Sequence, residues 1–442
     1  MEADLGAPPA KRTRSLRVPV LGSLLVLAVV VFGRIAAATG LELGPDAAPF
    51  VLGWEPEVSP LVLVTAVIVA GGLAAAPRLL ARSVSPGAFA LAGLGLGLAL
   101  RVGVAIGRGG FEDLHAVYDV ALEDNAASEY LPVLGAFDFG ARQFLDTFAE
   151  IGTALPVHAV GHPPGLLLSL NALGIDSPEG MAALTIGAGA LCVPLTYLAG
   201  RELLGDERAR VATLLYVFAP SAILYGATSA DALFATLALA SGASLLARRR
   251  IARVVGPVAL ALASFFSYAN LAIGAFAAIV TLRRDGLRSA AALSLACAVA
   301  LAAMYGLLHV LTGYDPIGAV RSAESVYREG VAAQRPYAFW VFGSPVAFLV
   351  AAGLPIAWLA LRSLGEGALV AVALFGVVGI AAVLGFSKAE TERIYQFLVP
   401  LLCLAAGAAA GTTRWSPARL RLVLGALAAQ ALLVQLLFFT VW

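Results

Sequence analysis

Residues 18–38 read VPVLGSLLVLAVVVFGRIAAA and form the first apolar run of the chain. The run matches the roughly 20 apolar residues that an α-helix needs to cross the hydrocarbon core of a bilayer. A basic cluster precedes it, made of Lys11, Arg12, Arg14 and Arg17. The run is too long for the core of a cleaved signal peptide, so the sequence favours an uncleaved first span, a signal anchor.

The composition extends this interpretation to the whole chain. Hydrophobic residues make up 60% of the 442 residues, charged residues make up 13%, and the mean hydropathy is +0.90. A water-soluble domain cannot bury so much apolar surface, so we predict an integral membrane protein. The net charge of +1 gives no reason to expect a nucleic-acid partner. Cys192, Cys297 and Cys403 lie apart in apolar runs and predict neither a disulfide framework nor a zinc site.

Further apolar runs predict an all-α bundle of about thirteen transmembrane helices. Segment 254–282 is too long for one crossing and short for two, with polar residues and Gly274 at its middle, so we expect two short helices there. The other predicted spans are 18–38, 58–76, 86–106, 181–200, 209–227, 230–247, 289–311, 339–361, 367–385, 394–411 and 420–440.

The charges predict which side of the membrane each loop occupies. Lys and Arg concentrate in cytoplasmic loops of membrane proteins. If the basic N-terminus is cytoplasmic, alternation of the spans puts most of the 29 Lys and Arg in cytoplasmic segments and most of the 28 Asp and Glu in outer ones. We therefore expect a multi-pass protein of the inner (plasma) membrane, with its polar chemistry on the outer face.

The outer loops are unequal in length, which suggests where that chemistry lies. Most connections are short, but 107–180 is long and includes two stretches with a helical pattern, 113–127 and 137–151. Long loops in compact proteins tend to be functional. Segments 312–337 and 387–395 are the other polar outer segments. We expect one transmembrane domain, 1–442, with N-terminal spans in 1–85, a core in 86–311 and C-terminal spans in 312–442.

An acidic pair follows the third predicted span, in the sequence RGGFEDLH of residues 108–115. Glu112 and Asp113 are therefore expected at the outer membrane surface, where a carboxylate can take the proton of an acceptor hydroxyl in sugar transfer from a lipid-bound phosphate. Alternatively, the pair caps the next helix and follows the ordinary polarity of loops.

Histidines form a second group of candidates. The sequence HAVGHPPG, residues 158–165, precedes an apolar run, 166–173, that is too short to cross and is expected to dip into the membrane face. His162 and its neighbour His158, with His115, can hydrogen-bond a phosphate or sugar. With nearby carboxylates they also offer ligands for a divalent metal, but their spacing fits no specific zinc pattern, so a metal is not favoured and we expect no cofactor.

Asp231 and the segment 387–395 complete the candidate site. Asp231 follows a tight outer turn and is expected at or just below the membrane interface. An acid at that depth needs a partner. Asp231 therefore either contacts a substrate or caps the following helix. Arg393, Lys388 and Arg321 can neutralise a phosphate, or Arg393 can pair with acids of its own segment. The remaining substrate-binding candidates are Glu390, Glu392 and Tyr395. Arg34 and Arg101 lie near span ends and are expected to snorkel towards the interface.

Together these motifs resemble the GT-C superfamily of membrane glycosyltransferases, which includes protein mannosyltransferases, aminoarabinose transferases and actinobacterial mannosyl- and arabinosyltransferases. The resemblance runs from about residue 91 to the C-terminus. It implies inverting transfer of a mannose- or arabinose-like sugar from a polyprenyl-phosphate carrier to an envelope lipid, glycan or protein, with Asp113 as base and Glu112 beside it. The motifs are the acidic pair, HPPG at 162–165, PSAILYGATSADALF at 220–234 and SKAETERIYQFLVP at 387–400.

Two other classes of protein fit the apolar pattern. A transporter or flippase of lipid-linked sugars also has about a dozen spans, but such proteins commonly carry ion-coupling charges in mid-membrane and two related halves. A non-catalytic scaffold is the other class. The clean spans, the unequal outer loops and the lack of a visible internal repeat favour the enzyme.

Overall fold

A computed structural model describes residues 16–81, 83–249, 251–330, 332–409 and 415–440. Lys11, Arg12 and Arg14 of the basic cluster lie outside these ranges. Two short strands, β1 (Gly53–Trp54) and β2 (Phe438–Phe439), pair antiparallel. The helices are α1 (Arg17–Thr39), α2 (Val62–Leu79), α3 (Pro86–Ala105), α4 (Ala141–Ile151), α5 (Val157–Val160), α6 (Gly165–Leu173), α7 (Pro178–Ala190), α8 (Cys192–Leu204), α9 (Asp206–Val217), α10 (Pro220–Thr228), α11 (Asp231–Leu246), α12 (Ala252–Ser264), α13 (Leu271–Asp285), α14 (Leu287–Thr312), α15 (Pro316–Glu329), α16 (Tyr337–Ala352), α17 (Leu354–Gly365), α18 (Leu369–Leu384), α19 (Thr391–Ile394), α20 (Val399–Ala409) and α21 (Pro417–Leu437).

Many of these helices are suited to a bilayer. Within the described ranges, seven are long and apolar enough to cross one: α1, α2, α3, α7 with α8, α14, α19 with α20, and α21. The number reaches nine if α9 with α10 and α16 with α17, two bent pairs, each count as one span, and α11, α12 and α18 are shorter apolar helices. Every predicted span coincides with a helix or a helix pair. The predicted all-α, multi-pass membrane architecture is confirmed.

The long segment 254–282 contains two short helices, α12 and α13, as predicted. The chain turns between them through the 3-10 turn Tyr268–Asn270. The side-chain amide of Asn270 donates to Ala263 O at 2.9 Å, which connects the turn to the last part of α12.

The predicted span 339–361 is not continuous, because the chain bends by 117° between α16 and α17. Gly353 has φ +117°, a conformation that a side chain rarely permits, and Pro355 follows in the first turn of α17. Gln430 satisfies backbone groups on both sides of the break, because its amide donates to Val350 O at 2.7 Å and accepts from Leu354 N at 3.1 Å. Broken helices persist in membranes where freed backbone groups find such partners.

The loop 107–180 is less helical than its sequence pattern suggests. The stretch 113–127 contains 3-10 turns, Ala116–Tyr118 among them, and α4 begins only at Ala141. Gly140, with φ +91°, separates α4 from the preceding 3-10 segment Leu131–Phe139.

Arg101 does not snorkel, and that expectation is wrong. Its side chain is buried in the bundle, with 2% exposure. Nε donates to Ala222 O at 3.0 Å and Nη2 donates to Tyr216 Oη at 3.2 Å. Both acceptors lie in the bent pair α9 and α10. Arg101 therefore connects α3 to this pair through two hydrogen bonds.

Loops predicted to share the outer side contact one another at one end of the bundle. Arg108 forms an ion pair with Glu55 at 2.9 Å, and Val51 N donates to Glu392 Oε1 at 2.6 Å. Trp340 Nε1 donates to Leu43 O at 3.0 Å. We call this end the polar end. It is formed by the described residues of the loops 40–61, 106–177, 313–336 and 385–390 and by the turns 228–231 and 265–270.

Loops predicted for the cytoplasmic side likewise meet one another. Arg210 donates to the Asp206 carboxylate and to the carbonyls of Leu79 and Val84.

Candidate active site

Four charged side chains of the polar end alternate in sign, three of them buried and one, Glu390, half-buried. Arg393 Nη1 donates to Asp231 Oδ2 at 2.8 Å, and its Nη2 donates to Glu390 Oε2 at 3.3 Å. The other oxygen of Glu390 accepts from Arg335 Nη2 at 2.8 Å. We call Asp231, Arg393, Glu390 and Arg335 the charge chain. Its two carboxylates balance its two guanidinium groups, as burial requires.

Asp231 is the first residue of α11, but its carboxylate does not cap the helix. Ser229 accepts from Asp231 N at 3.1 Å and donates to Asp231 Oδ2 at 2.9 Å. This bond and the ion pair with Arg393 hold the carboxylate in place. Asp231 thus has the partner that a buried carboxylate requires.

The backbone holds Glu390 in an uncommon conformation. Ala389 and Glu390 have φ values of 67° and 59°, in the left-handed region that favours glycine. Residues held there cost free energy and cluster at functional sites. Ser344 Oγ donates to Ser387 O and Thr391 Oγ1 donates to Ser344 O, at 2.9 and 2.7 Å, so α16 fixes both ends of the segment. The segment thereby presents Glu390 to both arginines.

Lys388 lies beside the charge chain but is not part of it. Its N–H donates to Tyr327 Oη at 2.7 Å, and its carbonyl accepts from Arg335 Nη1 at 2.6 Å. Its ammonium lies 3.5 Å from Ala332 O and, within the described part of the chain, forms no ion pair. Lys388 therefore contributes a positive charge that the described carboxylates do not neutralise.

Glu129 and His158 form a buried pair of titratable groups. His158 Nε2 lies 3.7 Å from Glu129 Oε1, too far for a hydrogen bond. Burial raises the pKa of Glu129 to about 7, although nearby Arg393 lowers it and Asp231 raises it further. Burial also holds the pKa of His158 well below its usual value, with Arg393 adding to the effect. The imidazole is therefore neutral at pH 7, and the pair is a polar contact rather than an ion pair.

His162 lies close to the same group. Its ring is 4.8 Å from the Phe234 ring and 6.2 Å from the Tyr130 ring, measured between centroids. Burial lowers the pKa of His162 to about 4, against the opposing effect of Asp231. Nδ1 is buried without a hydrogen-bond partner among the described residues. A neutral imidazole with an unused nitrogen can donate to or accept from a substrate.

Asp113 and Glu112 lie in a different charge environment. Asp113 Oδ2 accepts from Gly109 N at 2.6 Å. Burial raises the pKa of Asp113, and the hydrogen bond from Gly109 lowers it. Glu57 raises this pKa further, whereas Arg108 lowers it. Glu112 is exposed. In the described residues no hydrogen bond or ion pair joins Asp113 to Lys388 or Arg321.

The other predicted site residues lie around the edges. His115 is half-buried, and its Nδ1 has no partner in the described ranges. Arg321 lies on the exposed side of α15. Glu392 is buried and accepts from Val51 N, which connects the first loop to the late motif. Tyr395 is buried with its ring 5.6 Å from that of Phe348.

The structure therefore brings together a subset of the predicted residues. Arg393 contacts both Asp231 and Glu390. Arg335 connects Lys388 to this group, because it donates to the Lys388 carbonyl and to Glu390. His158 and His162 lie within electrostatic range of Arg393. Sequence reasoning missed Arg335 and Glu129 as site residues. Arg335 is a basic residue in a predicted outer segment, which was a usable signal, whereas Glu129 is one of many acids in its loop.

The described residues contain no group of three or more His, Cys, Asp or Glu side chains that could hold a metal ion. The chemistry that the polar end offers is that of cations, carboxyl groups and neutral imidazoles. Fixed cations can stabilise an anionic leaving group, and carboxyl groups can move protons.

Comparisons with known proteins give matches among solved structures. No protein-family model matches the sequence, and no curated protein matches it. The chain is similar to the oligosaccharyltransferase of Archaeoglobus fulgidus in its crystal structure with Zn and sulfate, at 16% identity and a TM-score of 0.45, over 78% of this chain and 53% of that one. For the same enzyme tethered to an acceptor peptide containing the NVT sequon the values are 13%, 0.42, 78% and 55%. The chain spans about half the length of these enzymes.

Proposed function

We propose that this protein is an inverting, GT-C type glycosyltransferase that moves a mannose- or arabinose-like sugar from a polyprenyl-phosphate carrier to an envelope lipid, glycan or protein. The observation that carries the proposal is the arrangement around Lys388. A cation without a carboxylate partner among the described residues lies beside a buried, balanced charge chain, at the end of an apolar bundle. A lipid carrier with a phosphate group matches this arrangement, because its phosphate can bind the cation and its apolar chain can lie against the bundle.

Lys388 and Arg393 hold the phosphate in this proposal. The ammonium supplies the uncompensated charge, and the guanidinium supplies planar donors. Because the charge chain holds Arg393 in place before the substrate arrives, little reorganisation is needed when charge develops on the departing phosphate. The prenyl chain lies against lipid-facing helices, and the reaction takes place on the outer side of the membrane.

Asp113 takes the proton of the acceptor hydroxyl. It is half-buried, and its raised pKa makes it a stronger proton acceptor than an exposed aspartate. Helix α10 packs against both the turn Phe111–Leu114 and α19, so one helix connects the segment of Asp113 with that of Arg393. The sugar and the acceptor lie between the two segments. Glu112 is the neighbouring carboxylate, and His115, His162 and Tyr395 contribute further contacts to the substrate.

The phosphate assignment is tested with Lys388→Gln. Loss of a charge-assisted contact of about 1.5–3 kcal/mol predicts a KM for a polyprenyl-phosphate sugar that rises roughly tenfold or more. The matched control is Arg328→Gln, because Arg328 is an exposed cation of the same end of the molecule that pairs with Glu324. A Lys388→Gln protein with the KM of the Arg328→Gln protein would contradict the assignment.

The base is tested with Asp113→Asn. Loss of a general base predicts a fall in kcat of about 10²–10⁴-fold, with the affinity for the carrier phosphate retained. Transfer is followed with radiolabelled donor, and carrier binding is followed separately. Full turnover by a folded Asp113→Asn protein would exclude Asp113 as the base.

A further inference from the structure

Glu129 is a carboxyl group that the charge balance of the site leaves over, as is Glu392, but Glu392 accepts a hydrogen bond from Val51 N. Asp231 and Glu390 each contact a guanidinium group, whereas no Lys or Arg of the described chain contacts Glu129. Its residue exposure is 5%, and none of the described hydrogen bonds reaches its carboxyl group. A buried carboxylate without a cation or a hydrogen bond is costly, and such a group takes up a proton instead.

The surroundings of Glu129 also favour a proton. The titratable and charged groups that interact with it are Tyr118, Tyr130, His158, Asp231 and Arg393. His158 is neutral, and Arg393 already pairs with two carboxylates. Burial raises the pKa of Glu129 to about 7 before any substrate is present. An anion bound at Arg393 adds a negative charge nearby and raises this pKa further.

Resting on the proposed function, we propose that Glu129 is a catalytic residue that carries a proton and donates it to the carrier's phosphate. Arg393 lies within electrostatic range of Glu129, and in the proposed function Arg393 also holds the phosphate, so the carboxyl group and the phosphate belong to the same part of the site. A neutral carboxyl group next to an anion donates a hydrogen bond, whereas a carboxylate would repel the anion. The acid role is thus separate from the base role of Asp113.

The step balances as follows. The acceptor oxygen bonds to the anomeric carbon, and its proton passes to Asp113. The bond between that carbon and the phosphate oxygen breaks, with its electron pair remaining on the oxygen. Glu129 donates its proton to this oxygen, so the carrier leaves as a singly charged phosphate monoester. Exchange with water then returns a proton to Glu129 and removes one from Asp113.

The inference is tested by infrared difference spectroscopy of the whole protein above pH 7, on addition of polyprenyl phosphate. We expect the wild-type protein to gain the C=O stretch of a protonated carboxyl group. Glu129→Gln should bind the carrier without this gain, and the control Glu150→Gln should behave as wild type. Glu150 is an exposed acid in the same loop. If the carrier binds and the band is absent, or persists in Glu129→Gln, the acid role is overturned while the proposed function stands. If the carrier does not bind to wild type, the proposed function fails, and the acid role fails with it.

Transfer kinetics provide a second readout. The proton-bearing form is lost as pH rises through the pKa, so kcat/KM of wild type is expected to fall above about pH 7. Glu129→Gln should lose this descending limb and about 10²-fold in kcat. A Glu129→Gln protein with wild-type kcat and an unchanged limb would overturn the role.

Discussion

Asp231 and Arg393 show how single residues could be selected from the sequence while their pairing could not. An acid next to a membrane span needs a partner, and Arg393 in a short polar segment was an obvious cation. The two residues are 162 positions apart, however, and their contact depends on how α11 and α19 pack. Glu129 gave no signal, because its significance comes from its burial without an ion pair to any described Lys or Arg, which is a property of the fold.

The ion pair of Asp231 and Arg393 should be essential for stability. Asp231→Asn leaves a buried guanidinium with one carboxylate fewer, which predicts a loss of about 3 kcal/mol in the free energy of unfolding. The measurement is thermal or denaturant unfolding of the purified protein in detergent. The control is Glu324→Gln, in which the exposed pair with Arg328 is broken and less than about 1 kcal/mol should be lost. Equal losses in the two variants would show that burial of the charge chain has no energetic consequence.

At the scale of elements, apolar length was a sufficient guide to where helices occur, and the two short helices of 254–282 followed from length alone. Breaks inside spans were harder to predict. Gly353 and Pro355 lie in the predicted span 339–361, but glycine and proline are tolerated in membrane helices, so the sequence did not require a bend. Gln430, which satisfies the freed backbone groups, lies far along the chain in α21.

The bend between α9 and α10 depends on Arg101 and on a glycine opposite it. A Cβ added at Gly226 would lie 2.7 Å from Arg101 Nε, so Gly226→Ala should displace the guanidinium from Ala222 O. We expect a loss of about 1–3 kcal/mol, as for other overpacked sites, in the same unfolding measurement. Gly95→Ala in α3 is the control, since a Cβ there meets no atom within 4 Å. An unchanged stability of Gly226→Ala would show that Arg101 can move without cost.

At the scale of the whole molecule, the charge pattern of the loops predicted which segments would meet. The loops assigned to the outer side contact one another, as expected if alternation of the spans places them at the same end of the bundle. The composition of the polar end could not be predicted in the same detail. Arg335, Lys388, Tyr327 and Glu390 come from segments whose relative placement depends on the packing of α15, α16 and α19.

The central claim is that the polar end holds the phosphate of a lipid carrier. The most direct measurement is an experimental structure of the protein with a polyprenyl phosphate bound in a lipid nanodisc. The account predicts phosphate density within hydrogen-bonding distance of Lys388 Nζ and the Arg393 guanidinium, with the prenyl chain leaving towards the lipid. Phosphate density at the opposite end of the bundle, or away from both cations, would contradict it.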